Sequence, residues 1–79
     1  MAKRRRTQVA MPYQLPGGAR HEFGKIQAEL GGLRGKPEPM IWKAASLAEL
    51  QHEHSRGRLS PEDQATMARY RAELGLPPA

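Results

Sequence analysis

The sequence predicts an all-α protein, in which two or three short helices follow an extended basic N-terminal arm. Three observations support this fold class. Apolar residues recur at spacings of three and four after Ala19, helix-starting and helix-ending residues stand at consistent positions in the C-terminal half, and period-two alternation is confined to residues 9–15. We therefore divide the chain into an arm, residues 1–18, and a small helical body, residues 19–79, with a proline-containing linker at 35–39.

The composition limits the chain to one small domain with a thin core. Of its 79 residues 38% are apolar, but eleven of these are alanine, and seven prolines and eight glycines interrupt the chain. Burial of so few large side chains does not offset the conformational entropy lost on folding, so a binding partner is expected to contribute. Because the chain has no cysteine, neither a disulfide nor a thiolate-bound metal can stabilise it.

The net charge of +5 is concentrated at the N-terminus. Residues 1–20 hold five basic residues and no acid, whereas residues 21–79 hold eight basic and eight acidic residues. Clustered arginines suit phosphate groups, so a nucleic-acid backbone is the favoured partner, with an acidic protein surface or no specific role as alternatives. The predicted anion-binding residues are Lys3, Arg4, Arg5, Arg6 and Arg20.

The rest of the arm has the pattern of an extended segment that lies along another surface. Its apolar residues alternate with polar ones, and Pro12 confines such a segment to an edge or an unpaired stretch. The Gly17-Gly18 pair is interpreted as a hinge. Partner-docking residues predicted from this pattern, and from a bulky cluster in the body, are Val9, Met11, Tyr13, Leu15, Met40 and Trp42.

The first helix is predicted over about residues 20–31. Phe23, Ile26 and Leu30 recur at helical spacing, and Gly31-Gly32 supplies an end. The linker at 35–39 is then expected to exclude helix, because a residue before proline is driven to extended geometry.

The second helix has two candidate starts. Ser46 with Glu49 forms a capping-box pattern and predicts a helix over about 46–56, while a start at Met40, just after a proline, predicts a longer one. The cluster Met40-Ile41-Trp42 is the predicted centre of the core. An exposed Trp42 would instead be an interface anchor.

The third helix is predicted over about residues 61–74. Ser60 stands at the cap, Pro61 at the first helical position, and Gly75 at the left-handed end. The second and third helices would form a hairpin over residues 46–76.

No catalytic, metal or cofactor site is predicted. The imidazoles of His52 and His54 are two positions apart and so point about 200° apart on a helix. The zinc-protease spacing and the glycine-rich phosphate-binding motifs are both absent, and neither Ser46 nor Ser55 has a partner pattern that would activate it.

The expected function is therefore binding. We expect a non-enzymatic structural or assembly protein of a larger nucleic-acid-containing complex, of the virion or ribonucleoprotein type by analogy of composition, and a homo-oligomer is compatible with it. A free nucleic-acid-binding regulator and a small inhibitor of a cellular enzyme are the alternatives. A helix-turn-helix version of the regulator would present Gln64, Thr66, Arg69 and Arg71 to a major groove.

The sequence carries no apolar run of membrane-spanning length and no apolar stretch of a secretory leader. We expect a soluble intracellular protein, either cytoplasmic or incorporated in a particle.

Overall fold

Three helices make up the part of the chain that the computed structural model describes, which is Leu15 and residues 17–78. They are α1 (Gly17–Leu30), α2 (Glu38–Ser55) and α3 (Pro61–Glu73), and these residues contain no strand. The all-α prediction is confirmed. The predicted arm up to Gln14 lies outside the described residues.

The longest helix, α2, packs against both of the others. α1 and α3 flank it without close backbone contact between them. The predicted α2–α3 hairpin is thus present, but α1 belongs to the same body and has the more extensive contact with α2.

The predicted hinge at Gly17-Gly18 is wrong, because both glycines lie in the first turn of α1. A Cβ atom on Gly18 would clash with the imidazole of His52. Glycine at this position therefore lets the start of α1 approach the C-terminal half of α2, where a larger residue would make the imidazole rotate away.

The start of α2 corrects two predictions. Glu38 and Pro39 are helical, although the linker at 35–39 was expected to exclude helix, and Ser46 lies inside the helix instead of capping it. Pro37 is the extended cap residue, with φ −61° and ψ 147°. A proline in the first turn lacks only an N–H that has no helical partner there, so Pro39 is tolerated. The Met40 start was the closer alternative.

The predicted ends of α3 match the structure closely. The Asp63 backbone N–H donates to Oγ of Ser60 over 3.1 Å, as expected of an N-cap. Gly75 has φ +80°, and the Leu76 N–H donates to the Arg71 carbonyl over 2.8 Å. This left-handed end turns Leu76 back into the core, where it is buried.

The core lies between the helices and depends on small residues from α2. Ile26 and Leu47 are its largest fully buried side chains, and the cluster comprises Leu15, Ala19, Phe23, Ile26, Leu33, Ala44, Ala45, Leu47, Ala48, Met67, Leu74 and Leu76. The prediction that Met40-Ile41-Trp42 forms its centre is wrong, because Trp42 is 40% exposed and the other two are only partly buried. Trp42 lies two positions before the buried Ala44, which places the two side chains about 200° apart around the helix axis.

The two serines that stood as candidate caps are expected to respond differently to substitution. Ser60→Ala should lower the free energy of unfolding by about 1 kcal/mol, because the N-cap hydrogen bond is lost. Ser46→Ala should change it by less than about 0.5 kcal/mol, since alanine is the better helix former and Ser46 caps nothing. Urea denaturation of both variants checks this. Equal losses would contradict the placement of the cap.

Candidate binding surfaces

The predicted arm residues fall into two groups. Lys3, Arg4, Arg5 and Arg6, with Val9, Met11 and Tyr13, lie outside the described residues. Arg20 is exposed on α1. Leu15, predicted to dock on a partner, is only 5% exposed and packs into the core of its own body, so it is not a surface residue.

An apolar surface lies at the end of the body that holds the α1–α2 connection. We call the cavity of about 250 Å³ there the α1–α2 pocket, and its lining residues are Phe23, Gln27, Leu33, Arg34 and Ile41. Trp42 follows Ile41 in the chain and is the large apolar residue exposed in the described part. Its indole N–H donates to Oε2 of Glu38 over 3.3 Å. Met40 is partly buried against the core, so of the two predicted docking residues in the body Trp42 is the more accessible.

This pocket was not predicted from the sequence. It arises where the connection after α1 places Leu33 and Arg34 beside Phe23 and Ile41, which are distant in the chain. The signal in the sequence was the Gly31-Gly32 pair, because glycine readily adopts positive φ. The two residues have φ values of +77° and +99°, and the chain turns there after α1. An apolar pocket beside an arginine can accept an apolar side chain next to an acidic group.

A second surface is the groove between α2 and α3, with a volume of about 490 Å³. Its apolar residues are Leu50, Leu59 and Tyr70, all partly buried against the core. Its charged residues are mainly acidic, and the complete lining is Ser46, Glu49, Leu50, Glu53, Arg58, Leu59, Asp63, Thr66 and Tyr70. We call it the α2–α3 groove.

Arg71 is the main departure from the predicted site chemistry. The helix-turn-helix interpretation required it on the exposed face of α3, but it is 5% exposed. Its Nε donates to the Pro77 carbonyl over 2.7 Å, its Nη2 to Oε1 of Glu29 over 3.0 Å, and its Nη1 to Oε1 of Gln51. One guanidinium therefore connects α1, α2 and the segment after α3, and it is not available to a nucleic acid.

The hydrogen bonds extend beyond Arg71. Gln51 uses its amide nitrogen to donate to Oε1 of Glu22 over 2.9 Å, while its oxygen accepts from Arg71. Burial of a guanidinium is costly unless its donors are satisfied, and the fork of an arginine can serve several acceptors at once. This network links α1 to α3, which have no close backbone contact of their own.

Much of the positive charge of the body is neutralised internally. Five of its cations form ion pairs with its own carboxylates, namely Lys25–Glu22, Lys43–Glu73, Arg58–Glu53, Arg69–Glu73 and Arg71–Glu29. Residues 21–79 hold equal numbers of basic and acidic residues and no run of consecutive cations like the predicted cluster Lys3–Arg6.

The histidines do not form a ligand group. Among Leu15 and residues 17–78, no three His, Cys, Asp or Glu side chains are placed to hold a metal ion. His52 lies against Gly18 while His54 is exposed, as expected for two residues on different sides of a helix.

Glu73 shows the electrostatic effect of its neighbours. The Lys43 hydrogen bond, together with the charges of Lys43 and Arg69, holds the pKa of Glu73 below its ordinary value of 4.5. The stabilisation from this pair is therefore present above that ordinary value and is lost as the pH falls through the lower, folded-state pKa.

We expect Lys43→Met to raise the pKa of Glu73 towards 4.5, because the largest cause of its lowering is removed. Arg69→Met should raise this pKa less, since the Arg69 charge is the smallest contribution. An NMR titration of the Glu73 carboxyl carbon measures both. A larger effect of Arg69→Met would contradict the geometry.

Within the part of the chain that the structure covers, none of the helices combines the length and apolar character needed to cross a bilayer. Comparison with protein-family models, curated proteins and solved structures finds no significant match to this chain.

Proposed function

We propose that the protein is a non-enzymatic assembly protein of a nucleic-acid-containing complex. Lys3, Arg4, Arg5 and Arg6 bind the phosphate backbone, with Arg20 adding to the same charge. The helical body docks on a protein partner through Trp42 and the α1–α2 pocket. The N-terminal cations thus contact phosphate, and the body contacts the protein partner.

The observation that carries this proposal is the internal pairing of the body's cations. Lys43 and Arg69 share the Glu73 carboxylate, and Arg71 is buried in the three-way network. The exposed cations Arg34, Lys36 and Arg56 are in none of these ion pairs of the described residues, but they lie in two separate connections, so the four consecutive cations of the N-terminal cluster are the main contribution to polyanion affinity.

The same pairing weakens the helix-turn-helix alternative. Of its four proposed groove-contacting residues, Arg71 is buried, while Thr66 donates its hydroxyl to the Glu62 carbonyl over 3.1 Å. Glu62 and Asp63 occupy the first turn of α3, where a recognition helix approaches the bases, and they would repel phosphate.

The body is suited to docking. Trp42 is an accessible aromatic residue, a type enriched among residues that dominate interface energy, and it stands next in the chain to a pocket-lining residue. A protein whose thin core leaves it marginally stable gains stability from such contacts.

The experiment that tests the proposal is a salt series. The affinity of the full chain for a random duplex DNA and for a single-stranded RNA is measured by fluorescence anisotropy at several salt concentrations. About four phosphate contacts predict a log–log slope near −3 to −4, with little sequence preference. A flat salt dependence, or a strong preference for one base sequence, would overturn the proposal and favour the inhibitor or the regulator, respectively.

A further inference from the structure

We propose that the α2–α3 groove binds the chain's own basic segment, residues 3–6, and that a polyanion competes with this contact. This goes beyond the proposed function, because it assigns an internal partner to the cations that would otherwise meet phosphate. The groove and the segment are opposite in charge.

The acidic rim of the groove is only partly neutralised. Glu53 is paired with Arg58 at 4.0 Å, whereas no ion pair within the described residues involves Glu49 or Asp63. Glu49 comes from α2 and Asp63 from α3, so the two carboxylates line the groove from different helices. The groove therefore attracts a cationic segment.

The apolar part of the groove suits the same occupant. Leu50 and Leu59 line it between the carboxylates and remain only partly buried. Lysine and arginine have long aliphatic stems that pack on apolar surface while their charged ends reach acidic groups. An extended segment with four consecutive cations supplies both kinds of contact.

The chain also enters the body at a suitable place. Leu15 is part of the core, and Gly18 lies against His52, next in the chain to the groove residue Glu53. Nine residue steps separate position 6 from position 15, which is a reach of about 30 Å when extended. The α2 portion of the groove, residues 46–53, is only about 11 Å long.

Because nine residue steps tether the basic segment to the body that carries the groove, a contact within one molecule is favoured over a contact between two. A tether of this length gives an effective concentration of the order of millimolar, well above the protein concentration in most experiments. We therefore commit to the chain's own segment as the occupant.

The experiment uses the absence of cysteine in the natural chain. Ala2→Cys in the full chain carries a nitroxide spin label, and broadening of backbone amide signals by NMR maps where the label lies. We expect selective broadening of the amide signals of Glu49, Glu53, Asp63 and Thr66. The broadening should disappear when the nitroxide is reduced to its diamagnetic form. Addition of a duplex DNA should also reverse it.

The matched variants separate this groove from general acidity. E49Q/D63N should abolish the broadening, whereas E38Q/E62Q, which removes the same charge elsewhere on α2 and α3, should retain it. At equal net charge, E49Q/D63N should bind duplex DNA about threefold more tightly than E38Q/E62Q, because a competing state that holds about two thirds of the molecules is removed.

Three outcomes would overturn the proposal: no broadening in the groove, broadening that E49Q/D63N leaves unchanged, or broadening that appears only between a labelled and an unlabelled molecule in a mixed sample. The last would assign the groove to a second copy. If broadening occurs as expected but DNA neither binds nor reverses it, the groove contact stands and the proposed function fails.

Discussion

Arg71→Ala should lower the free energy of unfolding by about 2–4 kcal/mol, one of the two largest effects we expect from a substitution in this chain. The change removes three hydrogen bonds from a guanidinium that is almost completely buried, and it leaves Gln51 and the Pro77 carbonyl without that donor. Glu29 is partly exposed and regains water, which keeps the loss below that of a fully buried ion pair. Urea denaturation at neutral pH measures the change.

The control for this prediction lies two residues away on the same helix. Arg69 is exposed and pairs with Glu73 at 3.8 Å, so Arg69→Ala should cost less than about 0.5 kcal/mol. Arg71→Lys should restore little of the loss, because an ammonium cannot reproduce the three directions of the guanidinium. Equal stability of the Arg69 and Arg71 variants would show that the network does not hold α1 to α3.

Replacing the N-terminal cluster by glutamine, K3Q/R4Q/R5Q/R6Q, should lower the affinity for duplex DNA at low salt by at least about two orders of magnitude. Loss of about four phosphate contacts removes nearly all of the counterion release that drives non-specific binding. The salt dependence should become nearly flat, and the circular-dichroism signal of α1, α2 and α3 should be retained, since these helices lie within residues 17–73. Fluorescence anisotropy gives the affinity.

The matched control removes the same charge from the body. K25Q/R34Q/K36Q/R56Q alters four exposed residues outside the α2–α3 groove, one on α1 and three in the connections between helices. It should weaken DNA binding by less than about fivefold, because these cations are spread over separate segments of the body and do not form one cluster. If both variants lose affinity equally, net charge alone governs binding and the N-terminal cluster has no special part in it.

Local signals were sufficient for α3. Ser60, Pro61 and Gly75 each act on the backbone beside them, so the start and the end of this helix were predictable without knowledge of its neighbours. The rule applied around Pro39 was also local, but two local rules conflict there. A residue before proline avoids helix, yet a proline in the first turn of a helix is favourable, and the second effect prevails in α2.

The exposure of Trp42 follows from which face of α2 is turned to the core. Side-chain size suggested a core position, but once the helix begins at Glu38, the buried residues Ala44, Leu47 and Ala48 define its inward face and leave Trp42 outward. The prediction of the core rested on large apolar residues and therefore did not include these alanines. Together they let the neighbouring helices approach α2 closely, which a pattern of large apolar residues does not reveal.

The prediction that Arg71 lies on the exposed face of α3 was wrong for a related reason. Its position, four after Met67 and three before Leu74, lies on the inward face of α3, and this spacing was the signal in the sequence. A charged residue on that face is normally turned to solvent, and only the arrangement of Gln51 and Glu29 from two other helices makes burial favourable. Such long-range partners cannot be read from spacing alone.

The central claim is that phosphate binding belongs to the N-terminal cluster and not to the helices. Titration of the isotopically labelled full chain with a short duplex DNA, followed by amide NMR spectra, tests it most directly. The account predicts large shift changes at residues 3–6 and at Arg20 and, in the rest of the body, changes confined to the α2–α3 groove where the basic segment is displaced. Large changes at Gln64, Arg69 and the other outward residues of α3, with residues 3–6 unaffected, would contradict it.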